Sequence, residues 1–120
     1  MKLEEFRVYQ DAMEIGEKVW QIVMTWDKFS KETMGYQLVR AADSVAANLS
    51  EGLGRYHYKE TKNFSYYSRG SLFETKTWLT KAKNRGIVNE EAFSGFIRTL
   101  DDIGVKLNNY INSIGKKGGG

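Results

Sequence analysis

The chain has 120 residues, 41% hydrophobic and 28% charged, with a formal net charge of +3, which sets a single domain with a modest core as the prior. No Cys and only one His are present, so a disulfide framework, thiolate chemistry and ordinary zinc sites are excluded. Pro is absent as well, no apolar run approaches a membrane span, and Met1-Lys2-Leu3-Glu4-Glu5 lacks the apolar core of a signal peptide, so a cytoplasmic protein built from long helices is expected.

Val8, Ala12, Ile15, Val19, Ile22 and Trp26 step by four and three residues, which predicts an amphipathic helix over roughly residues 7–27. Beside that core line runs a second apolar line, Tyr9, Met13, Trp20 and Met24, with Gly16 in its gap. The two lines diverge by more than a single core stripe needs. The second is therefore read as a surface for another copy of the chain rather than as a widened core. Asp27-Lys28-Phe29-Ser30 breaks the pattern, and Ser30 is the expected cap of the next helix.

The second helix is expected from about Lys31 to Leu53, with Leu38, Ala42, Val45 and Leu49 inward. Gln37, Arg40, Ser44, Asn48 and Glu51 form a polar line bordering that face. Asn has poor helix propensity, so Ser44 and Asn48 are expected to be partly buried and hydrogen-bonded, and Glu51 to meet an Arg on a neighbouring helix or copy. Gly52 and Gly54 end the helix.

A third helix is expected from about Tyr58 to Arg85, with Phe64, Ser68, Ser71, Thr75, Trp78 and Ala82 inward, widened by Leu72 and Leu79. Residues 56–85 carry seven basic side chains against two acidic ones. Lys62, Arg69, Lys76 and Lys83 recur every seven residues and share one side. Lys59, Tyr66, Phe73 and Thr80 form the adjacent line at the same period. Gly86 closes this helix. Val88-Asn89-Glu90-Glu91 starts the fourth, with Asn89 as cap and a Val88–Phe93 staple. Its core line is Phe93, Ile97, Leu100, Gly104, Leu107 and Ile111, and Gly104 is expected to mark a close helix contact. The fold class is therefore all-α, an antiparallel up-down-up-down four-helix bundle over residues 1–114, with a disordered Gly/Lys tail at 115–120.

Gln37-Leu38-Val39-Arg40-Ala41, Ser44 to Gly52, and Arg69-Gly70-Ser71-Leu72-Phe73-Glu74 together resemble the four-helix-bundle family of the 23S rRNA intervening-sequence proteins. That family includes the accessory proteins of diversity-generating retroelements. The likeness covers most of the chain. Two departures stand out: no proline at the first turn, where Phe29 precedes Ser30, and Ser50 in place of a small apolar residue. The resemblance implies a ring-forming homopentamer with a positively charged surface, and, for the retroelement members, assistance to a reverse transcriptase and its RNA or DNA. It assigns Ser44, Asn48, Glu51, Gly52, Arg69, Ser71 and Glu74 to fold and assembly; Arg40 lies on the same polar line.

No catalytic constellation, metal site or cofactor loop is legible. His57 stands alone in a turn, Gly54 occupies the position an acidic partner would need, and no phosphate loop or nucleophile elbow occurs. Nucleic-acid binding is better supported. Lys59, Lys62, Arg69, Lys76, Lys83 and Arg85, joined by Lys81, are read as a basic strip about 30 Å long at 1.5 Å per residue, with Tyr66, Tyr56 and Tyr58 placed to stack on unpaired bases. The opposing reading is a solvated face that keeps the protein soluble. In that case the chain is a protein–protein adaptor docking through Tyr9, Met13, Trp20 and Met24.

Overall fold

The computed structural model describes residues 1–115; the greater part of the expected Gly/Lys tail lies outside them. After a short 3-10 turn at Leu3–Glu5, helix α1 spans Arg7–Val23. A helical turn at Lys28–Ser30 and a π-helical segment at Lys31–Gly35 lead into α2, Tyr36–Leu53. Helix α3 spans Tyr58–Asn84 and α4 spans Glu90–Ser113. Each helix packs on the next in sequence, and α4 returns to α1. The result is an antiparallel four-helix bundle of 51 × 22 × 21 Å, without strands among the described residues. None of its helices is long and apolar enough to cross a membrane.

The core follows the expected stripes on α1, α2 and α4, except that Val23 is buried in place of Ile22 and Ile103 in place of Gly104, and that Phe93 and Ile97 are only half-buried. Val8, Ala12, Ile15, Val19 and Trp26 are buried against Leu38, Ala42, Val45 and Leu49, and against Leu100, Ile103, Leu107 and Ile111. Helix α3 is rotated from its expected position. Ser65, Ser68, Leu72, Thr75, Leu79 and Ala82 point inward, while Phe64, Ser71 and Trp78 are only half-buried. The reason is the close approach of α2 to α3. A Cβ on Gly52 would lie 2.9 Å from the Phe64 Cβ and 3.1 Å from the Thr61 carbonyl oxygen, so the two backbones nearly touch there. Further along, the Ser68 hydroxyl donates to the Val45 carbonyl at 2.7 Å across the same interface. Small residues at the contact let large ones move to its rim.

The first turn differs from expectation. Asp27, not Ser30, is the cap: its carboxylate accepts from the Ser30 amide at 3.1 Å, so helical structure begins three residues early. Hydrogen bonds from Ser30 hold the Asp27 carboxyl below the ordinary carboxylate range. Gly35, in the π-helical segment, packs on Val23 and Trp26, with no room for a side chain: a Cβ there would come 2.7 Å from a Val23 methyl. Trp26 is buried at this corner, and its indole N–H has no acceptor among the described residues, a cost of about 1–3 kcal/mol.

The other junctions follow local rules. Gly86 takes φ +75° and Ile87 N–H returns to the Ala82 carbonyl at 2.9 Å, a Schellman closure of α3. Asn89 accepts from the Ala92 amide at 2.8 Å to start α4. Gly104, by contrast, marks no close helix contact: a Cβ there would meet nothing within 4 Å. The seam between α1 and α4 is the loosest of the four, and holds an open groove of about 490 Å³ lined by Ile15, Lys18, Gly95 and Phe96 among others.

Asp43 sits where α2 crosses Gly16 of α1, its carboxylate oxygen 3.0 Å from the position a Gly16 Cβ would take. Partial desolvation at this crossing, then the nearby Glu17 carboxylate, pushes the otherwise exposed Asp43 carboxyl above its ordinary value of 3.8. A raised folded-state value favours the protonated form. The stability it lends is fully present below the unfolded value and is lost as pH rises through the folded one. Asp43→Asn is therefore expected to gain thermal stability relative to wild type as pH rises from about 3 to 7. Parallel melting curves of the two proteins across that range would sink the assignment.

Candidate nucleic-acid interface

The heptad residues of α3 do share one side, and that side is the seam with α4. Lys76 forms an ion pair with Asp101, and Lys83 lies 3.7 Å from Glu90. Arg69 Nη1 donates to the Asn108 amide oxygen at 3.1 Å, a neutral partner. Lys59, Lys62 and Arg69 have no ion pair among the described residues, and Lys59 is exposed while Lys62 and Arg69 are half-buried. The strip is thus divided. Its half towards the start of α3 offers uncompensated charge, and its other half is tied to carboxylates of α4.

Lys81 and Arg85 are not on this strip. They lie on the opposite flank of α3, where with Trp78 they line a groove against Glu32, Thr33, Tyr36 and Gln37 of the second helical stretch. A count of charges along one helix does not separate two flanks 100° or more apart; the helical positions do.

Aromatic rings accompany the cations. The Arg69 guanidinium stands 5.1 Å from the Tyr66 ring centroid, the Lys76 ammonium 5.5 Å from that of Phe73, and the Lys83 ammonium 4.6 Å from that of Phe93. Tyr66 and Phe73 remain 44% and 58% exposed. Tyr56, in the α2–α3 turn, is 92% exposed, and Tyr58 is exposed at the start of α3. Between Tyr66 and Phe73 lies Gly70, where a Cβ would meet nothing within 4 Å. A mid-helix glycine costs about 1 kcal/mol relative to alanine, and no packing among the described residues demands it. Sequence periodicity placed Phe73 beside the strip without singling it out, and it passed over Gly70; the signal was a glycine between two aromatics at i−4 and i+3.

The polar line of α2 is held within its own helix. The Ser44 hydroxyl donates to the Arg40 carbonyl at 2.8 Å, and the Asn48 amide to the Ser44 carbonyl at 2.9 Å. Both residues are half-buried, while Arg40 is exposed. Glu51 pairs at 2.8 Å with Arg55, one turn on in the same segment, rather than with a neighbouring helix. On α3, Glu74 accepts from the Trp78 indole N–H at 3.1 Å. Ser71 is half-buried, and its carbonyl accepts from the Thr75 hydroxyl.

On α1, Met13, Trp20 and Met24 are about half-exposed, at 46%, 52% and 49%. Tyr9 departs from this line: its ring stacks 6.3 Å from that of Phe6 and packs against the core. The exposed line continues instead onto α2. Trp20, Val23 and Met24 face Gly35, Tyr36 and Val39 across a mostly apolar groove of about 640 Å³, with Lys31, Glu32 and Arg40 also lining it. Tyr36 and Val39, three residues apart beside the core line, were the unread signal. No group of three or more His, Cys, Asp or Glu side chains among the described residues could hold a metal ion.

Fold and surface together define a four-helix bundle with a basic, aromatic edge and a separate apolar groove. The chain belongs to the 23S rRNA-intervening sequence protein family, whose profile matches residues 4–109. Its fold is similar to the crystal structure of a protein of unknown function from the S23 ribosomal protein family of Bacteroides thetaiotaomicron. The TM-score is 0.79 at 16% identity, covering 88% of this chain and 99% of that one. No curated protein matches the chain.

Proposed function

We propose that this protein is a self-assembling bundle that binds nucleic acid without sequence preference through the α3 edge, and that its work is binding rather than catalysis. The observation that carries this reading is the run Lys59, Lys62 and Arg69, unpaired with any carboxylate among the described residues and flanked by exposed Tyr58 and Tyr66. Such a surface exchanges condensed counterions for phosphates. The family's name ties its members to insertions in 23S rRNA, which favours RNA among the candidate polyanions.

One edge offers few phosphate contacts. Assembly repeats it and adds avidity. The Trp20–Tyr36 groove supplies an apolar surface of the kind that joins subunits. A ring of five copies serving a reverse transcriptase is the fuller form that the retroelement resemblance leads one to expect. Trp20→Glu places a charge on that groove, and monomers are expected in light scattering; an unchanged mass would remove the groove from assembly.

The central test is binding of labelled RNA across a salt series, with wild type beside a variant in which Lys59, Lys62 and Arg69 are replaced. Binding that falls steeply with salt and is lost in the variant supports the reading. The Trp20–Tyr36 groove also favours a second reading, a protein–protein adaptor. Failure to bind any nucleic acid at low salt would leave that reading in place.

A further inference from the structure

We propose that the notch between Tyr66 and Phe73 seats an unpaired nucleobase, so that the nucleic acid bound by this protein is single-stranded. The inference rests on the nucleic-acid reading above and deepens it. Tyr66, Gly70 and Phe73 step by four and three residues and form one row along the outer side of α3. Two half-exposed rings thus stand on either side of a position with no side chain. Among the described residues, none comes within 4 Å of the position a Cβ on Gly70 would take. Bare helix backbone at an open surface is accounted for when a body from outside lies against it.

A second bare position adjoins the first. On α4, Gly104 stands between Asp101 and Asn108, the partners of Lys76 and Arg69, which puts it level with Phe73 across the seam. A Cβ there also meets nothing within 4 Å. Gly70 and Gly104 therefore lower the surface on both sides of the Phe73 ring.

The chemistry of the rim selects the occupant. Arg69 stands beside the Tyr66 ring and Lys76, paired with Asp101, beside the Phe73 ring, and Lys62 lies one turn before Tyr66. Cations alternating with stacking surfaces are the pattern of sequence-tolerant single-strand binding, in which phosphates meet the charges and bases meet the rings. Paired bases in a duplex offer no free face. The two residues are about 10.5 Å apart along the helix, at 1.5 Å per residue, so each ring is a separate platform. A base that lies flat on either ring has left the stack of a duplex. Uncompensated positive charge at Lys62 and Arg69 favours this polyanion over another copy of the chain.

The test uses the full chain at low salt, with a labelled oligouridine and an RNA duplex of equal length. Single-stranded RNA is expected to bind more tightly than duplex. Phe73→Ala should weaken single-strand binding about tenfold, as loss of one stacked base does, and leave duplex binding unchanged. Gly70→Leu, which favours the helix and so keeps the fold, should fill the notch and have the same effect. Phe73→Trp should show emission quenched by oligouridine and not by duplex. Equal affinity for both forms, untouched by Phe73→Ala and Gly70→Leu but still falling with salt, would overturn the notch and leave the charged edge standing. Binding of neither form would overturn both. A changed mass in light scattering for Phe73→Ala, with oligouridine binding intact, would assign the notch to subunit contact and overturn the proposal.

Discussion

Replacing Lys59, Lys62 and Arg69 together by Gln is expected to reduce RNA affinity at low salt by roughly 100-fold per chain. The figure takes about 1 kcal/mol for each charge–phosphate contact, below the range for charge-assisted hydrogen bonds because solvent reaches and screens these sites. The slope of log affinity against log salt should fall by about 2 to 3. Gln keeps most of the side-chain length and places no new carboxylate near α4. Lys76→Gln and Lys83→Gln are the informative controls. Their ammonium groups already face Asp101 and Glu90, so each should change the salt slope less than Lys62→Gln does. A filter-binding salt series decides the matter. Equal losses for paired and unpaired lysines would mean that the ion pairs open on binding and that the division of the strip has no functional weight.

Two helical glycines should respond to substitution with opposite sign. Gly52→Val is expected to destabilise the bundle by about 3 kcal/mol, since overpacking costs about 1–3 kcal/mol and a branched side chain lies at its upper end. The atoms it would strike are the Phe64 Cβ at 2.9 Å and the Thr61 carbonyl oxygen at 3.1 Å, neither of which is the end of a flexible chain. Relief requires α2 and α3 to separate, which also strains the Ser68–Val45 hydrogen bond. Gly70→Ala is expected to stabilise by about 1 kcal/mol, because the helix gains propensity and nothing is displaced. In thermal melts these amount to a fall of about 12 °C and a rise of about 4 °C. A destabilised Gly70→Ala would show that the position is packed after all, in solution, by something other than its own chain.

Where the determinants are local, the sequence was a sufficient guide. Three-and-four spacing located the buried lines of α1, α2 and α4, and the Asn89 cap and the Gly86 closure each act within a few residues. Less was legible where two distant segments meet. The rotation of α3, which brings Ser65 inward in place of Phe64, follows from the backbone approach at Gly52, and no pattern within α3 reports it. The division of the basic strip follows from Asp101 and Glu90, which lie 25 and 7 residues beyond their lysine partners in sequence and on another helix. A heptad period placed Lys62, Arg69, Lys76 and Lys83 on one side correctly; whether that side faced solvent or α4 was a tertiary question. Ser30 and Asp27 were both competent caps, and burial of Trp26 and Gly35 at the corner accompanies the earlier start. Tyr9 left the exposed line because Phe6, outside the helix, supplied a ring for it to pack on.

The unequal tightness of the seams bears on how this chain folds. The closest approach joins α2 to α3, two segments linked by a four-residue connection, so its loop-closure cost is small. The α1–α4 seam, which must bring the two ends of the chain together, is the most loosely packed of the four. Contacts that are near in sequence thus carry the firmest packing, the condition under which helical bundles fold fast. The outer helices can then detach and return while the central hairpin persists, which makes that hairpin the most protected unit against backbone amide exchange. It carries the polar line and the whole basic edge, so the surface proposed to meet nucleic acid lies on the part of the molecule that opens last.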